Sequence, residues 1–118
     1  MDFNEYQVLA RRTQNHELNA SERLNHALHG LSSEIGEIHG LYQKVYQGHK
    51  LDEKEVIKEM GDVLWFLSEL SDCLCVHLGS VASANIEKLM ERYPVGEGFS
   101  KERSINRKEY AADAASGS

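Results

Sequence analysis

The sequence predicts an all-α fold, a long helical hairpin accompanied by shorter helices. Three observations carry that expectation. Two stretches of about twenty residues place apolar side chains at spacings that alternate between four and three. One proline and nine glycines in 118 residues leave few points at which a helix must stop. No segment shows the sustained alternation of a half-buried strand.

Taken in order, residues 3–14 are expected to form a short helix with Phe3, Tyr6 and Leu9 or Ala10 on one side. Asn15 to Ala20 is polar and reads as a looser link. Ser21, followed by Glu22, is expected to cap the first long helix, its hydroxyl taking up one of the unpaired first-turn N–H groups. The stripe of that helix is Leu24, Leu28, Leu31, Ile35, Ile38, Tyr42 and Val45. Gly48 to Leu51 breaks the pattern, and Asp52 is placed to cap the second long helix. Its stripe is Val56, Met60, Val63, Leu67, Leu70 and Leu74, widened by Leu64, Phe66 and Leu78. Gly79-Ser80 is expected to stop it, leaving Val81 to Arg92 as a third helix. Tyr93-Pro94 then ends helical structure, because proline disfavours α geometry in the residue before it. Residues 95–110 are expected as an irregular arm. Residues 111–118, AADAASGS, read as a flexible tail, so that 1–110 makes one domain.

The bulk properties narrow the function classes. A net charge of −6 argues against a broad grip on a nucleic-acid polymer. It still permits a small anionic ligand, provided a local cation offsets the charge, and a divalent metal is the obvious one. No apolar run approaches the roughly 20 residues needed to span a bilayer, and the polar N-terminus does not read as a signal peptide. A cytoplasmic protein with no membrane partner is expected. Cys73 and Cys75 lie about 200° apart around a helix, which prevents a bridge between them and fits free thiols in a reducing compartment.

The hairpin pattern also fixes a register. If the two long helices run antiparallel and turn near residue 48, facing residues have numbers summing to about 96. Leu31 then meets Val63 or Leu64, Leu28 meets Leu67, and Ile35 meets Met60. The acids follow the same rule, Glu37 opposite Glu59 and Glu34 opposite Asp62. Glu34 and Glu37 sit roughly 80–140° to one side of their stripe, and Glu59 and Asp62 roughly 60–120° from theirs in the same rotational sense. Reversing a helix reverses that sense, so both pairs emerge on one side of the hairpin. Glutamates beside a core stripe are usually only solvated, but a solvated face normally mixes signs. Here no lysine or arginine lies between the four acids at that level, and their repulsion calls for a cation. Oxygen-only ligands select a hard ion, Mg²⁺ or Mn²⁺.

These same residues carry a family resemblance. Ser33-Glu34-Ile35-Gly36-Glu37, followed by Lys58-Glu59-Met60-Gly61-Asp62-Val63-Leu64-Trp65, resembles the ExxE…ExxD signature of MazG-like nucleotide pyrophosphohydrolases, within the all-α NTP pyrophosphatase superfamily. The likeness runs from about Tyr6 to Arg107 and includes Asn85-Ile86-Glu87-Lys88-Leu89-Met90-Glu91-Arg92-Tyr93-Pro94. It implies hydrolysis of a nucleoside triphosphate at the α–β phosphoanhydride, with Glu34, Glu37, Glu59 and Asp62 holding Mg²⁺ and one of them orienting or deprotonating the attacking water. It further implies a substrate clamp of Asn85, Lys88 and Arg92, which share a helix face by their spacing. Lys44 and, in the arm, Arg107 are weaker phosphate candidates. Phe66 faces Gly30 by the register sum and is a candidate base contact; Trp65 is expected at an interface or core edge. The histidines show no metal-ligand spacing, and ordinary polar or interface roles are expected for His26 and His29.

A hairpin of this size encloses little core, so a homodimer with a four-helix core is expected, as the resemblance also implies, or a tetramer made of two dimers. The implied role is removal of unwanted nucleotides. Two competing readings are a non-catalytic helical interaction module whose acids hold a stabilising metal, and a phosphoribosyl-ATP pyrophosphohydrolase.

Overall fold

The structure is a computed structural model and describes residues 1–94 and 96–106. It is all-helical: α1 Phe3–Arg11, α2 Ala20–Val45, α3 Glu53–Cys73, α4 Leu78–Arg92 and α5 Lys101–Ile105, with no strand among the described residues. Met1–Gly79 forms one compact unit, and the chain from Ser80 onward forms a second. Arg107 and the tail lie outside the described residues. None of the described helices is long and apolar enough to cross a membrane.

In the first unit α2 and α3 pair as the expected antiparallel hairpin, with α1 against α3. Their ends follow from local chemistry. The cap of α2 is Asn19 rather than Ser21: the Asn19 side chain accepts from the Glu22 N–H at 2.8 Å, and the Glu22 carboxylate accepts from the Asn19 N–H at 3.0 Å. This reciprocal capping box satisfies two first-turn donors where a serine hydroxyl two residues later would satisfy one. Gly48, at φ 93°, makes the turn after α2, and Asp52 caps α3 by accepting from the Lys54 N–H.

Elsewhere the boundaries differ from expectation. The first helix ends at Arg11, three residues early: the Thr13 and Gln14 N–H groups close tighter turns onto the Ala10 and Arg11 carbonyls, the Thr13 hydroxyl donates to the Ala10 carbonyl, and the Gln14 side chain reaches Asp72. The break after α3 falls at Leu74–Cys75, not at Gly79-Ser80; Cys75 takes φ 55°, a left-handed conformation that ends the helix. Gly79 lies inside α4, where its N–H donates to Asn4 Oδ1 at 2.9 Å. A Cβ there would stand 2.8 Å from that oxygen, so this glycine permits a close approach and stops nothing. Tyr93-Pro94 ends α4 as expected. In the second unit the expected arm contains a helical turn, α5, capped by Ser100; Arg103 donates to the Arg92 carbonyl, and Tyr93 packs on Phe99.

The first unit's interior is unusual in composition. Its buried apolar side chains are Ala10, Ala27 and Leu78, while Gln7, Gln14, Ser68, Glu69 and Ser71 are buried polar groups. Asp72 joins the elements: its carboxylate accepts from Arg11 at 2.7 Å, Gln7 at 2.9 Å and Gln14 at 2.6 Å. Gln7 also donates to the Val76 carbonyl and accepts from the Leu78 N–H, tying α1 to the start of α4. The long stripes meet only along one edge. Leu31, Ile38, Val56, Val63, Leu64 and Leu70 are half-buried, but Leu28 and Leu67, expected to cover each other, are 46% and 40% exposed. Ile35 and Met60, at 46% and 57%, are likewise uncovered. Two helices side by side cover only part of stripes this wide, so the other edge faces outward.

Candidate functional site

The acids sit midway along the hairpin. Glu34 lies on α2, and Glu59 and Asp62 lie one turn apart on α3, so a single level of the bundle carries all three. One carboxylate oxygen from each falls within 4.8 Å of the others. Glu37 stands outside this tight group and is exposed, although its charge still acts on Glu34. The electrostatic consequence appears at Glu34. A proton shared with Glu59, then burial, then the charges of Asp62, Glu59 and Glu37 push its carboxyl up to about 7. Lys58, the nearest basic residue in sequence, turns away to Glu55 at 3.1 Å. Crowding of this kind raises the cost of ionising every carboxylate in the group, and a cation among them would offset that cost. The donor chemistry therefore fits a hard divalent cation.

Beside the acids lies a cavity of about 370 Å³ lined by Thr13, Glu34, Asp62, Trp65 and Phe66. The Phe66 ring lies against Gly30, where a Cβ would collide with it, as the register sum implies. Trp65 meets Phe66 edge-on at 5.0 Å, and its indole N–H donates to Thr13 Oγ1 at 2.8 Å. On α1, Tyr6 lines a separate cavity with Phe3 and Leu64; burial and then the Asp62 charge raise its phenol above the ordinary value. The site thus joins an acidic floor to an aromatic wall.

Residues 23–96 match the family model of the MazG nucleotide pyrophosphohydrolase domain. The chain belongs to that family. No curated protein and no solved structure matches it.

The other site residues expected of this MazG domain fall in several places. Lys44 is exposed on α2, seven residues past Glu37 and so about two turns, or roughly 10 Å, along the helix. Asn85, Lys88 and Arg92 lie on α4 in the second unit, Asn85 and Lys88 exposed and Arg92 half-buried with its guanidinium 6.0 Å from the Tyr93 ring. Arg107 lies outside the described residues. Trp65, expected at a core edge or interface, is half-buried and shares the cavity wall with Phe66.

Sequence reasoning missed several groups. Thr13 comes from the turn after α1, and no periodicity links that segment to α3. Glu69 was also missed: it is 1% exposed and sits 2.6 Å from His26 Nδ1. Here a signal existed, since 26 and 69 nearly satisfy the same register sum. The Asp72 knot left none, because its three donors are separated from it by 58 to 65 residues.

Proposed function

We propose that this MazG domain is a Mg²⁺-dependent nucleoside triphosphate pyrophosphohydrolase, converting (d)NTP and water to (d)NMP and pyrophosphate. The observation that carries the reading is the convergence of Glu34, Glu59 and Asp62 beside a cavity walled by Trp65 and Phe66. Glu34, Glu37, Glu59 and Asp62 would hold Mg²⁺, with Mn²⁺ as a substitute. When bound, the ion supplies charge compensation to the phosphates and to the developing negative charge at the reacting phosphorus.

The chain's own residues do the rest. One carboxylate of the set orients the attacking water toward the α-phosphorus and takes its proton, a positioning effect that needs the acids held at one level. Phe66, with Trp65 beside it, offers a face on which a base can stack. Asn85, Lys88 and Arg92 contribute a polar, cationic face for phosphate and sugar, with Lys44 and Arg107 as further phosphate contacts. The exposed apolar edge of Leu28, Ile35, Met60 and Leu67 supports assembly as a homodimer with a four-helix core, or as a dimer of dimers. Disposal of unwanted nucleotides in the cytoplasm is the role that fits such an activity.

The test is a panel of NTPs and dNTPs, with and without Mg²⁺, on the wild type and on Glu37→Gln and Asp62→Asn. Mg²⁺-dependent release of monophosphate, lost in both variants with helical content retained, is the expected result. Full activity in both variants would remove the acids from the chemistry.

A further inference from the structure

We propose that His26, fixed by the buried carboxylate of Glu69, is a positioning residue that sets the Trp65–Phe66 wall for nucleobase recognition. This rests on the nucleotide reading of the cavity. His26 lies eight residues before Glu34 on α2, about 12 Å along the helix and beyond reach of an ion held by the acids. Its role must be exerted through what it touches.

What it touches is specific. Its Nδ1–H donates to Glu69 Oε1 at 2.6 Å, with Glu69 1% exposed and the imidazole 45% exposed. A carboxylate so removed from water is costly to keep, and a hydrogen-bonded partner offsets that cost. The bond fixes the rotation of the imidazole ring about its own stem. So fixed, the ring meets Trp65 edge-on at 6.3 Å and 85°, and Phe66 at 5.5 Å and 57°. Each aromatic residue is also held from a second side, Trp65 by the Thr13 hydroxyl and Phe66 by the glycine gap at position 30. The wall is therefore locked at both ends, and His26 is the contact common to both rings. A stacking surface held in place before binding loses less freedom when a base arrives, which strengthens binding without touching the phosphates. His26 should then govern KM and base preference and leave kcat alone.

Two variants separate positioning from simple support of the fold. His26→Ala removes both the ring and the hydrogen bond. His26→Asn keeps an amide N–H near the Nδ1 position for Glu69 and removes only the ring. Trp65 is the single tryptophan, so its emission reports on the wall in the free protein. Probes are the α,β-imido analogues of the common ribo- and deoxyribonucleoside triphosphates with Mg²⁺, which bind without being cleaved. We expect both variants to shift Trp65 emission, to weaken analogue binding and raise KM by about tenfold, and to keep kcat within about threefold of wild type. His26→Asn should also keep the wild-type unfolding midpoint, so the test survives if His26→Ala fails to fold. Wild-type emission and affinity in His26→Asn overturns the proposal, as does a fall in kcat at unchanged KM. Failure of the wild type to bind any analogue overturns it too. Binding of analogues without turnover of the parent nucleotides overturns the hydrolase reading and leaves this one standing.

Discussion

Replacing Gly30 by alanine should damage nucleotide recognition while barely moving, or modestly lowering, stability. Two opposed effects set the magnitude. Within a helix, Gly→Ala relieves backbone entropy and gains about 0.9 kcal/mol from propensity. At position 30, however, the new Cβ would collide with three atoms of the Phe66 ring, which has to turn or the helices have to part. Overpacking of that kind costs about 1–3 kcal/mol, toward the lower end here because Phe66 is only half-buried and can swing outward. The net is a destabilisation of about 0–2 kcal/mol, but with the ring displaced from the wall of the cavity. Gly40 supplies the control, since nothing lies within 4 Å of a Cβ built there. Gly40→Ala should show the propensity gain alone, raising the unfolding midpoint by roughly 4 °C. Thermal and urea denaturation of both variants, with KM measured alongside, read the two effects separately. If Gly30→Ala stabilises as much as Gly40→Ala and leaves KM unchanged, the packing of Phe66 against α2 is not what shapes the cavity.

Asp72→Ala should lower stability by about 3 kcal/mol in urea denaturation, because it strands the buried Gln14 amide and unties Arg11 and Gln7 from α3. The pH dependence has a definite sign. Burial pushes the Asp72 carboxyl up, but hydrogen bonds from Arg11, Gln14 and Gln7 outweigh it and hold the group below its ordinary value of 3.8. Its stabilising contribution is thus complete above that value and disappears as pH falls through the lower, folded one. Asp72→Asn should show a flatter loss of stability with acid than the wild type, which acid titration followed by circular dichroism checks. The proposed homodimer predicts a dimer mass for the wild type and a monomer mass for Leu28→Glu combined with Leu67→Glu, read by sedimentation or light scattering; a monomeric wild type, or a dimer that survives both changes, would contradict it.

The hairpin and its acids were legible in the sequence for a physical reason. Both are periodic features, and an antiparallel helix pair turns periodicity into spatial register. The same sum that brings Glu34 to Asp62 brings Phe66 to Gly30, and the structure shows both pairings. Glu37 shows the limit of the rule: its number matches Glu59, yet it stands outside the close group because register fixes height and leaves the last few ångströms to side-chain rotation. Features set by aperiodic contacts were not legible. The capping box at Asn19 competes with an equally plausible serine two residues on. The φ of 55° at Cys75, a residue that rarely adopts it, sets the helix break ahead of Gly79, where the pattern of breakers places it. The polar interior built on Asp72, Gln7 and Gln14 follows from contacts between distant segments, which apolar patterning cannot reveal.

The central claim is that the acids direct water to the α-phosphorus of a nucleoside triphosphate. Hydrolysis in ¹⁸O-labelled water, with products followed by ³¹P NMR and mass spectrometry, tests it most directly. The account predicts pyrophosphate and nucleoside monophosphate in equal amounts, the label in the monophosphate, and no reaction in Asp62→Asn. Inorganic phosphate with nucleoside diphosphate, or label in the pyrophosphate, would contradict it.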